Sequence, residues 1–115
     1  FIFAGHFGVA HKSVDLFDYK ACQNEPGFLP EEQAFMDQIT GPLEFVDAFR
    51  EANFGENQFT WYPDAESAQR NKNGWRLDYQ ICTAELRQYI VEAKVLNDRI
   101  WGGQYAATLI EYEFD

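Results

Sequence analysis

The side chains best suited to chemistry in this chain are its two histidines and two cysteines. Histidine titrates near neutral pH, so His6 could move protons or bind a ligand beside a carboxylate. We expect His11 to be a hydrogen-bonded scaffold residue, because buried polar groups nearly always find partners. Cys22 and Cys82 lack the spacing of a disulfide framework or a zinc site, which predicts idle free thiols in a reducing compartment. The sequence contains no Walker-type loop and no nucleophile elbow.

The charge balance argues against a nucleic-acid partner. The chain has 9 Lys and Arg against 19 Asp and Glu, a net charge of −10, whereas phosphate-binding proteins are normally basic. Its basic residues are scattered singly, for example at Lys12, Lys20, Arg70, Lys72 and Arg76. No apolar run approaches the roughly 20 residues of a membrane span, so we predict no membrane association.

The first half of the chain predicts one strand and two helices. Phe1–Gly5 is a continuous apolar run, which is typical of a strand buried on both faces. Pro30 and the acids after it favour a helix start, and Gly41–Pro42 ends that helix. A second, short helix is predicted to include Val46, Phe49 and Arg50.

The second half predicts four strands and one capped helix. Alternating apolar and polar residues from Trp75 to Ile81 indicate a strand with two distinct faces. A short helix is predicted over 83–87 with Thr83 as its cap, and 63–67 is predicted to be a polar loop. The remaining predicted strands cover 58–62, 89–96 and 105–114.

These elements predict a single α+β domain over residues 1–115, with a mainly antiparallel sheet and helices on one face. The chain begins without Met, inside a predicted strand, so we expect a fragment or a trimmed form of a longer protein. An apolar strand at the start needs a cover on its second face, and nothing else in the chain is predicted to supply one.

Five ordered segments carry a recognisable pattern, at Gly5–Gly8, Ala10–Leu16, Gly27–Glu32, Gly74–Tyr79 and Gly103–Ala106. Together they resemble the C-terminal half of the exonuclease III/abasic-site endonuclease family, which has the DNase I-like fold. The resemblance implies one lobe of a four-layer α/β sandwich of two similar lobes. It also implies Mg²⁺-dependent phosphodiester hydrolysis in DNA repair, inside the cell, in the cytoplasm or the nucleus.

The resemblance also shows that four of the family's site positions are changed. Where the family carries Asp and Asn in its first motif, this chain has His6 and Gly8. Where the family carries Asp and His in its last motif, it has Gln104 and Tyr105, and only Asp78 is retained. Loss of one positioned group typically lowers the rate about 10²–10³-fold, so we expect no useful hydrolysis. Most Mg²⁺ ligands are lost, and no cofactor is predicted.

The family's pocket for a flipped abasic sugar corresponds here to Trp61, Trp75 and Leu77. A pocket is one interpretation of these residues, and ordinary burial of large side chains in the core is the other. In the loop where the family contacts the DNA backbone, Glu25 places a negative charge that a phosphate would meet.

By the same resemblance His6, Asp78, Gln104 and Tyr105 form a new polar cluster. One interpretation is a ligand site or a pH-sensitive pair, in which Asp78 orients His6 or Tyr105. The other is structural, with Tyr105 donating a hydrogen bond to a buried Asp78.

Three functions follow from these observations. The first is a catalytically silent, engineered half-domain that forms a homodimer through its exposed sheet face, because site residues are replaced while scaffold motifs are kept. The second is residual Mg²⁺-dependent abasic-site endonuclease or exonuclease activity that needs the missing N-terminal half. The third is a designed ligand site around His6 and Tyr105.

Overall fold

The computed structural model describes residues 1–114 and contains five strands, three α-helices and two short 3-10 helices. The strands are β1 (Ile2–His6), β2 (Val46–Asp47), β3 (Asp78–Cys82), β4 (Ile90–Trp101) and β5 (Tyr105–Tyr112). The α-helices are α1 (Pro30–Thr40), α2 (Ala48–Ala52) and α3 (Ala65–Arg70), and the 3-10 helices are Ser13–Asp15 and Ala84–Tyr89. The predicted α+β class with antiparallel strands is confirmed.

β3 is the central strand of the first sheet, which has the order β1–β3–β2. Both neighbours run antiparallel to β3, and the register places Phe3 opposite Ile81 and His6 opposite Asp78. The side chains of Tyr79 and Ile81 are buried, as the alternating pattern predicts. The predicted start of this strand at Trp75 is wrong, because β3 begins at Asp78, Trp75 makes only isolated bridges, and Arg76 is fully buried. The same register brings His6 and Asp78 together at one end of the sheet.

α1 begins where its sequence predicts and covers one face of the first sheet. Pro30 occupies the first turn, and the Glu32 carboxylate accepts hydrogen bonds from the backbone N–H groups of Gly27 (2.8 Å) and Leu29 (3.1 Å). Met36, fully buried, packs in one cluster with the β3 residues Tyr79 and Ile81. The helix ends at Gly41, as predicted.

β4 and β5 form a separate two-stranded sheet that packs against β2, α2 and the end of β3. Both strands are confirmed, although β4 extends beyond the predicted 89–96 to Trp101. Ile110 and Tyr112 of β5 pack on a buried cluster that includes Val46 and Cys82. Glu111 in β5 and Glu113 just after it are exposed.

The prediction of a strand over 58–62 is wrong in detail, because this segment makes only isolated bridges. Trp61 pairs with Trp75 on one side and with Tyr105 on the other. The backbone N–H of Tyr62 donates to the Gln104 carbonyl at 2.9 Å, and that of Ala106 donates to the Thr60 carbonyl at 3.0 Å. Residues 60–62 therefore connect the first sheet to the β4–β5 hairpin.

Three local predictions need correction. Val46 lies in β2 and not in the second helix, because it pairs with Cys82 before α2 begins. The predicted loop 63–67 is partly helical, because the Asp64 side chain accepts a hydrogen bond from the Ser67 N–H (2.7 Å) and starts α3. The helix predicted over 83–87 is a 3-10 helix, and the Thr83 side chain does not cap it.

The predicted burial of β1 on both faces is also wrong within this chain. All five residues of β1 are exposed, and Phe1, Ile2 and Phe3 keep 70%, 45% and 54% of their accessible surface. β1 is an edge strand. Its apolar sequence indicates a surface that should be buried, but it cannot show that the same chain provides the residues that bury it.

None of the helices among residues 1–114 combines the length and the apolar character that a membrane span requires.

Candidate functional site

A buried ionic cluster supports the segment that carries the candidate site. Arg76 is fully buried, and its guanidinium group bonds Asp47 at 2.6 Å and Asp15 at 2.8 Å. Arg50 bonds the same Asp15 oxygen at 2.6 Å. We call these four residues the ionic core. The Arg76 guanidinium also lies 4.5 Å from the Tyr79 ring centroid, which adds a cation–π contact.

In the ionic core, the paired charges affect the pKa values of Asp15 and Arg76 more strongly than burial does. Burial alone would raise the pKa of Asp15, but the charges and hydrogen bonds of Arg76 and Arg50 hold that pKa below its usual value. Burial would lower the pKa of Arg76, and Asp47 and Asp15 raise it instead. Asp15 and Arg76 therefore stay ionised near neutral pH. Sequence reasoning missed this cluster and treated Arg76 as one of several scattered basic residues.

The ionic core fixes its neighbours along the chain. Arg76 donates its backbone N–H to the Asp15 carbonyl at 2.7 Å. The Tyr79 hydroxyl donates to the carbonyls of Val9 (2.7 Å) and Arg76 (3.2 Å). Because Trp75, Leu77 and Asp78 flank these fixed positions, their side chains are held in defined directions.

His6 and Asp78 form a direct pair at the end of β1 and β3. The His6 Nδ1 atom lies 2.9 Å from the Asp78 Oδ1 atom, and the two side chains are 59% and 35% exposed. The other ring nitrogen faces Gly8, since a Cβ placed there would lie 3.6 Å from His6 Nε2. A histidine bonded to a carboxylate through Nδ1 presents Nε2 for proton transfer or for binding a ligand.

The structure does not gather the other two predicted cluster members around this pair. The Gln104 amide donates to the carbonyls of Tyr62 (3.2 Å) and Pro63 (3.1 Å). Tyr105 is 48% exposed, and within residues 1–114 its hydroxyl makes no hydrogen bond to Asp78. Asp78 is also not buried, so the structural interpretation of Tyr105 is wrong, and His6 is the partner of Asp78.

Trp61, Trp75 and Leu77 lie together on the wall of a cleft of about 460 Å³. All three are only partly buried, and Gly8 lies on the same wall, so the cleft is next to the His6–Asp78 pair. Seven residues of the segment 17–27 also line the cleft: Phe17, Asp18, Ala21, Cys22, Glu25, Pro26 and Gly27. The resemblance places Glu25 in a loop that contacts the DNA backbone in the family, but no local pattern shows that this loop folds back to form the cleft.

His11 lies outside the cleft and bonds the Asp37 carboxylate of α1 at 2.6 Å. Its side chain is almost fully buried, in agreement with the expected scaffold role. Cys22 and Cys82 are free thiols, as predicted.

The residues at the family's metal positions do not fit Mg²⁺. Hard divalent ions prefer several carboxylate oxygens, but Asp78 is bound to His6 and Gln104 bonds backbone carbonyls. Within residues 1–114 no group of three or more His, Cys, Asp or Glu side chains could hold a metal ion.

Proteins of similar sequence include an exodeoxyribonuclease and a DNA repair nuclease. The chain is 33% identical over 100 residues to an exodeoxyribonuclease of Bacillus subtilis, covering 84% of this chain and 38% of that protein. It is 28% identical over 109 residues to the DNA repair nuclease APEX1 of Danio rerio, covering 94% and 35%. The chain thus spans little more than a third of these relatives. No protein-family profile matches it.

Solved structures give the same fold. An AP endonuclease from Archaeoglobus fulgidus superposes with a TM-score of 0.85 at 20% identity, over 98% of this chain and 45% of that one. A 3′ phosphatase, NExo, from Neisseria gives a TM-score of 0.84 at 17% identity, over the same shares of the two chains.

Proposed function

Because this chain is a partial exonuclease III-like domain, we propose that it is a catalytically silent half-domain that pairs with a second copy of itself. The observation that carries the proposal is the exposure at β1, where Ile2 and Phe3, together with the preceding Phe1, stand in solvent at the sheet edge. An apolar edge of this kind is normally covered in a stable protein.

β1 also lacks the features that keep strand edges apart. Between Ile2 and His6 there is no proline, lysine, arginine or carboxylate, and protected edges usually carry such residues. A second copy would bring the same apolar strand and the same lobe. Two identical surfaces related by a two-fold axis form an isologous interface, which is the commonest arrangement in homodimers.

Catalytic silence is the second part of the proposal. His6, Gly8, Gln104 and Tyr105 replace the family's site residues, while Asp78 is retained. Replacing the acids of a functional site is a common way to stabilise a fold, so this pattern is what deliberate engineering would produce. The absence of a metal cofactor and of a nucleic-acid partner belongs to the same proposal.

Light scattering over a concentration series tests the pairing. We expect a species of twice the 13.4 kDa chain mass. Ile2→Lys and Phe3→Lys should each shift it towards the monomer, because they bury a charge at the interface. Phe54→Lys is the matched control, since Phe54 is a loop residue with 80% exposure. A chain that stays monomeric at every concentration would contradict the proposal.

A second candidate is residual nuclease activity, favoured by the His6–Asp78 pair beside the cleft. It is tested with a duplex that carries an abasic site, in Mg²⁺, with and without a separately expressed N-terminal half of a relative. We expect no cleavage in either case. Cleavage that is lost in His6→Gln would establish this candidate instead.

A further inference from the structure

Three aromatic side chains line the cleft, at Phe17, Trp61 and Trp75. Trp61 and Trp75 exchange backbone hydrogen bonds of 3.0 and 2.9 Å as an antiparallel pair. Directly opposite residues of such a pair carry their side chains on the same face, and both indoles line the cleft. The Phe17 N–H donates to the Gly74 carbonyl at 2.9 Å, which fixes Phe17 beside Trp75.

The charged residues of the cleft are all acidic. Asp18 and Glu25 are on its wall, and within residues 1–114 no Lys, Arg or His lines it. Burial and the nearby charges of Glu25 and Asp18 raise the pKa of the Cys22 thiol in the same wall. The local field therefore favours a positive ligand and repels an anion, consistent with the chain's net charge of −10.

The cleft is held in shape before any ligand arrives. Asp18 accepts a hydrogen bond from the Ala21 N–H at 3.1 Å, which fixes its carboxylate. Gly27 packs against the six-membered ring of Trp75, where a Cβ would come within 3.0 Å of Cζ3. The volume of about 460 Å³ suits a small molecule, because ligand sites commonly measure about 300–1,000 Å³.

We propose that this cleft binds a small organic cation with an apolar surface, such as a quaternary or methylated ammonium group. The faces of aromatic rings are negative and attract such cations, and a nearby carboxylate adds to the attraction. Because the wall of the cleft is negatively charged, it should repel a phosphate group. The inference goes beyond the proposed pairing, since it requires only the cleft of one chain.

Tetramethylammonium is the probe, and tryptophan fluorescence is the measurement. The chain has three tryptophans, so Trp101→Phe leaves Trp61 and Trp75 as the only reporters. We expect a saturable change with tetramethylammonium chloride at constant ionic strength. Uncharged tert-butanol and sodium acetate should give none, because the first lacks the charge and the second has the wrong sign.

Substitutions then locate the site. In the Trp101→Phe background, Glu25→Gln should weaken binding roughly threefold to tenfold, and Trp61→Leu about tenfold or more. Glu113→Gln, at an exposed acid of the hairpin, should leave the affinity unchanged. Glu25 is exposed, so Glu25→Gln should fold normally even if Trp61→Leu does not. No saturable signal, an equal response to tert-butanol, or an unchanged affinity in Glu25→Gln would each overturn the proposal.

Discussion

Arg76 and Asp78 are two residues apart in the same segment, yet their ion pairs differ completely in environment. Arg76 is enclosed with Asp47 and Asp15, whereas Asp78 meets His6 where both side chains reach solvent. Removing one partner of a buried pair leaves an uncompensated charge, but an exposed pair contributes little. The ionic core therefore supports the scaffold, and the His6–Asp78 pair can change with little loss of stability.

Removal of the Arg76 charge should have the largest effect. Arg76→Leu leaves Asp15 and Asp47 buried without this partner, and we expect the free energy of unfolding to fall by about 3–5 kcal/mol. Urea denaturation followed by tryptophan fluorescence measures the change. Arg70→Leu is the control, since the Arg70–Glu66 pair is exposed and should contribute less than about 0.5 kcal/mol. Equal losses in the two variants would refute the contrast.

Acid should weaken the same cluster, with a smaller effect because Asp47 still pairs with Arg76. The pKa of Asp15 is lower in the folded chain than its ordinary value of 3.8. The resulting stabilisation is complete above 3.8 and is lost as the pH falls through the lower folded value. We expect the free energy of unfolding to decrease below about pH 4. Urea denaturation at a series of acid pH values measures this. The decrease should be smaller in Asp15→Asn than in the unsubstituted chain and the same in Glu113→Gln, and equal decreases in all three would contradict the role of Asp15.

Two glycines contrast the packed interior with the exposed strand β1. A Cβ on Gly74 would overlap the buried ring of Phe59, while a Cβ on Gly5 in β1 would meet nothing within 4 Å. We expect Gly74→Ala to lower the free energy of unfolding by about 1–3 kcal/mol, and Gly5→Ala to change it little at concentrations where the chain is monomeric. Thermal unfolding of the two variants side by side checks this. A large loss in Gly5→Ala would show that the edge is packed in solution.

The exposed pair should give the smallest effect. His6→Gln removes the contact to Asp78, and we expect a loss of at most about 1 kcal/mol, because solvent screens both charges. Urea denaturation at neutral pH measures it. Asp78→Asn should give a similar value, and a loss as large as that of Arg76→Leu would place His6 in the scaffold instead.

The sequence predicts helices and strands well where neighbouring residues determine them. Pro30 with the acids that follow it defines the start of α1, and the alternation of Tyr79 and Ile81 with polar residues identifies the faces of β3. The same alternation fails at Arg76, which is buried because it pairs with two distant carboxylates. The exposure of β1 could not be predicted, because a continuous apolar run is the same whether its cover is present or absent. The segment 58–62 has strand-like residues, but its pairing depends on distant partners.

The candidate site could be predicted only in part for the same reason. Trp61, Trp75 and Leu77 follow from the resemblance, but the pairing of His6 with Asp78 requires the strand register. The ionic core has no local signature, since Asp15 and Arg76 are separated by 61 residues. The acidic wall of the cleft comes from a loop whose path depends on tertiary contacts.

The bridging residues 60–62 have a consequence for how the molecule opens. The N–H of Trp61 donates to Trp75, three residues before β3, and that of Tyr62 donates to Gln104, at the turn before β5. One short segment is therefore hydrogen-bonded to the chain that leads into each sheet. Neither sheet can separate without breaking this connection, which favours unfolding as one cooperative unit. The amide hydrogens of Trp61 and Tyr62 should accordingly exchange with solvent deuterium among the slowest in the chain, at the rate set by global unfolding.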